Sequence, residues 1–362
     1  MNTDSIFYGE KKRRIARIVK IGNLNIGGKE PIAIQSMLDL PPECVEKNIE
    51  KALFLQNLGC DIIRVAIPNK KALLLIKELK KNISMPVVAD IHFDYKLAIE
   101  SVKAGADKIR INPGNVGSSE KIREIVNACK EKNIPIRIGV NSGSVEKDIL
   151  AKYGSPNAQA LFESAFRNIK LFESLNFNNI VLSIKSSDVT TTFIAYKLLA
   201  KACDYPLHLG ITETGSGNLA VVKSSIGIGS LLLNGIGDTI RVSLTGKKED
   251  EIICAKDILK SLSLVKNYGI EIISCPTCGR TKIDVLNIIK SVKEKLKFFK
   301  KNRKIAIMGC SVNGPGEAKE ADVGIAGGNG FGVLFKKGKI VKILPEEELV
   351  SALVSEIENF ED

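Results

Sequence analysis

Tryptophan is absent from this chain of 362 residues, histidine occurs only twice, and aromatic residues make up 5%. With no tryptophan and no recognisable binding module, the net charge of +12 does not read as a nucleic-acid interface, despite basic runs at Lys11 to Arg14 and Lys290 to Lys304. The charge suits an anionic small molecule, or the docking of a small acidic electron carrier. Cysteine, at eight residues, is too sparse for a disulfide framework, so the thiols are expected free for metal or redox work in a reducing compartment. No apolar run is long enough to cross a bilayer. The amino-terminal MNTDSIFYGEKKRR has no apolar stretch behind its charge, so no signal peptide is expected. Together these absences point to a cytoplasmic globular protein with no membrane and no nucleic-acid partner.

What is present is an alternation. Short β-branched runs are each followed by a helix-length segment, eight times over. The runs are Ile32 to Met37, Asp61 to Ile67, Pro86 to Ile91, Lys108 to Asn112, Ile134 to Val140, Asn179 to Lys185, Leu207 to Thr212 and Thr239 to Leu244. Eight such units predict an α/β fold, a (β/α)8 TIM-type barrel over 1–265, with a doubly wound open sheet as the alternative. From about Lys266 the pattern changes to strand, helix, strand, hairpin and helix, which predicts a smaller α+β domain over 266–362.

A barrel strand should be apolar along its length and carry chemistry at its carboxyl end. Here those ends carry Arg64, Asp90 with His92, Arg110 with Asn112, Arg137 with Asn141, Lys185, Glu213, and Arg241 with Ser243. Five cations converging on one mouth repel each other unless a multiply charged anion sits among them. A phosphorylated substrate supplies that anion, because guanidinium forks match phosphate oxygens. The glycines of SIGIGSLLLNGIGDT read as packing and turn glycines rather than as a phosphate cradle.

Five cysteines, Cys44, Cys60, Cys129, Cys203 and Cys254, lie in apolar segments and read as small buried hydrophobes. The other three are Cys275 and Cys278 in SCPTCGRTK and Cys310 in MGCSVNGPGEA. A structural zinc needs four ligands, and both histidines, His92 and His208, belong to the barrel, which leaves a zinc site one ligand short. An iron–sulfur cubane accepts three thiolates and leaves its fourth iron for an oxygen ligand or for substrate. Glu317, brought round by the NGPG turn, is the candidate oxygen ligand. The rival readings are a barrel lyase or pterin-type synthase with a zinc-bound tail, and a non-enzymatic nucleic-acid binder.

At these residues the chain resembles the flavodoxin- or ferredoxin-dependent 4-hydroxy-3-methylbut-2-enyl diphosphate synthases of the methylerythritol phosphate route to isoprenoids. The resemblance runs in order through NIGGKEPIAIQSM, GCDIIRVAIP, VADIHFD, KIRINPGN, PIRIGVNSGS, HLGITETG, GIGDTIRVSLT, SCPTCGRT and MGCSVNGPGEA. It implies a barrel followed by a domain like the half-repeat of sulfite and nitrite reductases. It also implies a 4Fe-4S cluster held by Cys275, Cys278, Cys310 and Glu317. The implied reaction is the two-electron reductive ring opening of 2-C-methyl-D-erythritol 2,4-cyclodiphosphate, with electrons from reduced flavodoxin or ferredoxin. Arg64, Arg110, Arg137, Lys185 and Arg241 would bind that diphosphate, with Asn141 and Ser243 as further hydrogen-bonding groups. Glu213, then Asp90, are the acid–base candidates, on the expectation that a carboxyl held among phosphates has a raised pKa. Members of the family are head-to-tail homodimers with shared active sites, which implies the same here. One stretch departs from the family pattern: Leu38 to Pro42 replaces a Thr/Asn-rich turn, so Asp39 inherits no role.

Overall fold

A computed structural model of the chain describes residues 7–8, 11–265, 269–297, 299, 301–311, 316 and 318–360. It divides into two compact units, Met1–Leu264 and Val265–Asp362. Among the described residues no helix is long and apolar enough to cross a membrane.

The first unit is an eight-stranded parallel barrel. Its strands are β1 (Ala33–Met37), β2 (Ile62–Ala66), β3 (Val87–Asp90), β4 (Lys108–Ile111), β5 (Ile136–Asn141), β6 (Ile180–Lys185), β7 (His208–Leu209) and β8 (Thr239–Ile240). Each is followed by a helix: α1 (Val45–Leu58), α2 (Leu73–Asn82), α3 (Tyr95–Ala104), α4 (Ser119–Glu131), α5 (Ala158–Ser174), α6 (Val189–Ala202), α7 (Gly217–Leu233) and α8 (Lys248–Ser261). The helices start and stop where the sequence signals it. Asp94 and Asp188 cap the first turns of α3 and α6, and Gly59 and Gly105 take the left-handed conformation that ends α1 and α3.

The strands pair in the order β6-β5-β4-β3-β2-β1-β8-β7, so β6 and β7 must meet to close the barrel. They do so at a single bridge, Leu182 with Leu207. Leu182 N donates to the Pro206 carbonyl at 2.9 Å and Thr212 N to the Ser186 carbonyl at 3.4 Å, and a side chain adds to that seam. The Tyr196 hydroxyl of α6 accepts from Ile184 N of β6 at 3.0 Å and donates to the His208 carbonyl of β7. Strands β7 and β8 are two residues each, shorter than the alternation predicts. Past Ile240 the backbone pairs with β7 once more, Arg241 N donating to the Leu209 carbonyl at 2.9 Å, and then finds a side chain where Leu244 N donates to Glu251 Oε1 at 3.2 Å.

The amino-terminal end of the barrel is sealed by a hairpin that the sequence reading did not anticipate, Val19–Ile21 paired with Leu24–Ile26. Its Val19, Ile21 and Ile26 pack on Ala33, Ile62, Val88 and Val181, the lowest inward residues of four strands. The barrel is therefore apolar at its floor and becomes polar upward.

The second unit is a five-stranded sheet of β9 (Ile270–Ser274), β10 (Arg303–Met308), β11 (Val323–Gly327), β12 (Phe331–Lys336) and β13 (Lys339–Pro345), paired in chain order. The first three strands run parallel and the last two add as antiparallel hairpins. Lys337 and Gly338, both at positive φ, make the two-residue turn between β12 and β13. Period-2 alternation divides the sheet's faces. Ile305, Ile307, Val323 and Ile325 pack with α9 (Val285–Lys295) and α10 (Leu349–Glu358), while Ala306, Met308 and Ala326 form a second cluster on the other face that reaches Cys275.

Replacing Tyr196 by Phe leaves the Ile184 N–H and the His208 carbonyl buried without that partner. The barrel should lose about 1–3 kcal/mol of stability, read from the urea midpoint at unchanged slope.

Candidate active site

Side chains alternate along a strand, so the inward set follows from register. In β4, Lys108 and Arg110 face the barrel interior, and the pairs Asp90 with Arg110 and Arg110 with Arg137 put neighbouring strands at matching heights. Two glycines make the room these long side chains need. A Cβ on Gly139 would lie 2.9 Å from Arg110 Nε, and one on Gly210 would lie 2.9 Å from Lys185 Nζ.

Arg64, Arg110, Arg137 and Lys185 are buried and Arg241 is nearly so, its side chain 13% exposed. The carboxylate at their centre is Asp90, only 2% exposed. Arg110 Nη1 donates to Asp90 Oδ1 at 3.1 Å, Arg64 Nε lies 3.8 Å from Asp90 Oδ2, and His92 Nε2 lies 3.3 Å from the same oxygen. Burial pushes the Asp90 carboxyl upward. The Arg64 guanidinium, the His92 hydrogen bond, Arg110 and Arg137 outweigh it and hold the group well below the usual carboxylate range. The expectation of a raised pKa at Asp90 is thereby corrected: the cations facing it outnumber any anion near it, and it is an ionised counter-charge.

The cations remain undersupplied. Arg110 Nε, Arg137 Nε and Nη1, and Arg241 Nε have no hydrogen-bond partner among the described residues. Burial first, then Arg241, Arg137, Arg64 and Arg110, press the Lys185 ammonium far below its ordinary pKa. A site whose own donors are unpaired and whose charges repel is built for an anion it does not itself provide.

The remaining candidates sit differently. Asn141, half-buried, caps the short turn Ser142–Ser144. Ser243 is half-buried and its carbonyl accepts from the Thr214 hydroxyl. Glu213 is exposed, at φ 54°, on the loop after β7. Four residues the sequence reading left out belong to the same interior. Lys108 and Gln35 are buried, and neither Lys108 Nζ nor either Gln35 amide atom has a hydrogen-bond partner among the described residues. His208 is buried with Nδ1 2.7 Å from Thr239 Oγ1 and is kept neutral by burial and then by Arg137. Glu251, on α8, receives Lys248 Nζ at 2.9 Å and Ser36 Oγ at 3.3 Å, and lies 3.8 Å from Arg241 Nε. The alternation of Lys108 with Arg110 in KIRI was the available signal for Lys108; a lone Glu on a helix gave none.

In the second unit, Cys275 and Cys278 follow β9 and Cys310 follows β10, its parallel neighbour, with Ser274 opposite Ile307. The two loops are tied together: Gly309 N donates to Cys275 Sγ at 3.1 Å and Lys282 N to the Gly309 carbonyl at 2.8 Å. Gly309 is required there, since a Cβ would lie 2.9 Å from Thr281 Cγ2 and 3.3 Å from Cys275 Sγ. The Cys278 thiol is lowered by the Arg280 backbone N–H and then by its side chain. Thiolate-favouring donors on adjacent loops fit a thiolate-bound group. Among the described residues, however, no three Cys, His, Asp or Glu side chains lie close enough together to hold a metal. The structure thus brings the loops of Cys275 and Cys310 side by side without gathering the three thiols into one ligand set. Glu317 lies outside the described residues.

Replacing Asp90 by Asn leaves Arg64 and Arg110 without their counter-charge. At pH 7 this should cost about 3–5 kcal/mol, seen as a lower melting temperature that sulfate partly restores. Because the folded pKa is depressed, the wild-type advantage is present above the unfolded value of about 3.9 and is lost as pH falls below it.

Comparison with known proteins agrees with this architecture. The chain matches the GcpE TIM-barrel domain over residues 16–256 and the GcpE protein C-terminal domain over residues 271–359. It is 57% identical to the 4-hydroxy-3-methylbut-2-en-1-yl diphosphate synthase (flavodoxin) of Caldanaerobacter subterraneus subsp. tengcongensis, over 96% of this chain and 98% of that protein. The protein of the same name from Clostridium perfringens is 54% identical over 96% of this chain and 99% of its own length. Among solved structures, a Plasmodium falciparum HPPK-DHPS chain aligns with a TM-score of 0.50 at 16% identity, covering 69% of this chain and 51% of that one, a likeness of fold alone. With both of its units matched, in order and nearly end to end, this chain belongs to the GcpE family.

Proposed function

We propose that the chain is an iron–sulfur oxidoreductase of isoprenoid biosynthesis that converts 2-C-methyl-D-erythritol 2,4-cyclodiphosphate into (E)-4-hydroxy-3-methylbut-2-enyl diphosphate. Two electrons and two protons enter, the ring C–O bond to phosphate opens, and one oxygen leaves as water. Support comes from the identity to the synthases above. The geometric observation that carries it is the buried ring of Arg64, Arg110, Arg137, Lys185 and Arg241, with its unpaired N–H groups. A cyclic diphosphate is a compact dianion of the kind such a ring requires.

Residues 1–265 bind the substrate. The five cations hold its two phosphates, Asn141 and Ser243 add hydrogen bonds at the rim, and Asp90 fixes Arg64 and Arg110 in place. Glu213, exposed on the loop past β7, acts as the acid–base group. Residues 266–362 carry a 4Fe-4S cluster on Cys275, Cys278, Cys310 and Glu317. When bound, that cluster supplies electrons one at a time, received from reduced flavodoxin or ferredoxin. The chain's positive charge favours docking of an acidic carrier. The working assembly is a cytoplasmic head-to-tail homodimer in which one subunit's second unit serves its partner's barrel.

Two variants separate the halves. Arg137→Ala should keep its iron, about four atoms per chain after anaerobic purification, and lose affinity for the cyclodiphosphate by at least tenfold. Cys310→Ser should lose iron and visible absorbance yet bind the cyclodiphosphate as wild type does. A colourless wild-type protein containing zinc sinks the reading. Mixed and allowed to exchange subunits, these two inactive variants should recover about a quarter of wild-type activity. Half of the dimers are then mixed, and each mixed dimer has one intact shared site; no recovery argues against sharing.

A further inference from the structure

Below the ring of cations lies a group that the proposed chemistry does not use. Lys108, at the start of β4, is wholly buried, and its Nζ has no hydrogen-bond partner among the described residues. Val88, its register partner on β3, belongs to the apolar floor cluster that the sealing hairpin covers. The charged and titratable groups around it are Arg110 on its own strand and Arg64, Asp90, Arg137, Lys185, His208 and Arg241 from the other strands and the residues that follow them, with Glu251 from α8. Of the two carboxylates, Asp90 is already engaged by Arg64, Arg110 and His92, and Glu251 by Lys248 and Arg241.

Repulsion in this interior has few places to go. A guanidinium keeps its proton in a protein, so the arginines cannot relieve it. His208 is already neutral. The amines are the groups that yield. Burial, then Arg137 and Arg64, press the Lys108 ammonium far below its ordinary pKa. A doubly charged anion seated among those same two arginines reverses the field that Lys108 experiences.

We propose that Lys108 is a further residue of the anion site, a buried amine that takes up a proton when the diphosphate binds, so that substrate capture is coupled to proton uptake. The inference rests on the diphosphate reading of the barrel and adds to it a proton acceptor beneath the ring.

The substrate itself is a suitable probe. The phosphate proton that titrates near pH 6 in a monoester is absent from a cyclic diphosphate, because ring closure esterifies that oxygen. Protons exchanged on binding therefore come from the protein. Binding is measured by calorimetry on the anaerobic holoenzyme without reductant, in two buffers of different ionisation enthalpy, from about pH 7 to pH 9. Lys108 has a low pKa without the anion and a higher one with it. Between those two values affinity should fall about tenfold per pH unit for each proton taken up. Wild type should take up about one proton per site more than Lys108→Met, whose pH slope should be shallower by about one. Lys108→Arg, which keeps the charge but holds its proton, should lose the same proton uptake. It serves as the second variant if the methionine chain fails to fold. Equal uptake in wild type and either folded variant overturns the proposal, as does wild-type binding with no proton exchange. If the wild type does not bind the cyclodiphosphate at all, it is the diphosphate reading that fails.

Discussion

The constraint on which the barrel depends is the concentration of positive charge inside it. Six buried or nearly buried cations, Arg64, Lys108, Arg110, Arg137, Lys185 and Arg241, share a space in which Asp90 and Glu251 are the buried carboxylates close to them. Two like charges 4 Å apart repel by about 4 kcal/mol at the effective dielectric of a protein surface, and by more where water is excluded. A fold does not accumulate such a set for its own stability, because well-packed apolar residues of similar volume do at least as well. The arrangement makes sense as preorganisation. The desolvation of these groups is already complete when an anion arrives, and the anion's charge then acts on donors that need little reorientation.

The strain is confined by layering. The lowest inward positions, Ala33, Ile62, Val88 and Val181, are apolar and sealed by the hairpin's Val19, Ile21 and Ile26. The outward positions of the same strands pack on helices, where Ile63, Val65, Ile109 and Ile138 are buried. Arg64, Arg110, Arg137 and Lys185 therefore occupy inward residues above the floor, Lys108 is paired with the floor residue Val88, and the outward residues of each strand supply ordinary apolar burial. Glycine is part of the same device. At Gly139 and Gly210 the absence of a side chain lets Arg110 and Lys185 lie across a neighbouring strand. A methyl group at either position would drive the cation out of its place.

Much of this was legible because strand periodicity is a local property. The eight alternating runs and the cations at their ends could be read directly, and register then turns the position of each residue into a direction. What could not be read depends on distant partners. Strands β7 and β8 are short, Tyr196 bridges β6 to β7 and Glu251 takes Leu244 N past β8, and nothing near Leu207 or Thr239 announces either partner. The electrostatic setting of Asp90 depends on which charges face it. Its place among phosphate-binding residues suggested a raised pKa, whereas Arg64, His92, Arg110 and Arg137 lower it. Lys108 opens its strand in the sequence, and its complete burial follows only from the closed barrel around it.

The second unit solves a different problem with the same geometry. In both units the chemistry follows the carboxyl ends of parallel strands, where the chain leaves the ladder and its loops are free to take functional shapes. In the barrel, eight loops stand above charges already fixed by the strands. In the five-stranded sheet, two loops after β9 and β10 carry the thiols, and they are fixed to each other by Gly309 N to Cys275 Sγ and by Lys282 N to the Gly309 carbonyl. The thiols are thus held on a prepared frame but not drawn into a closed ligand set. The barrel fixes its charged side chains through strand register, whereas the second unit fixes its thiol-bearing loops through hydrogen bonds between those loops.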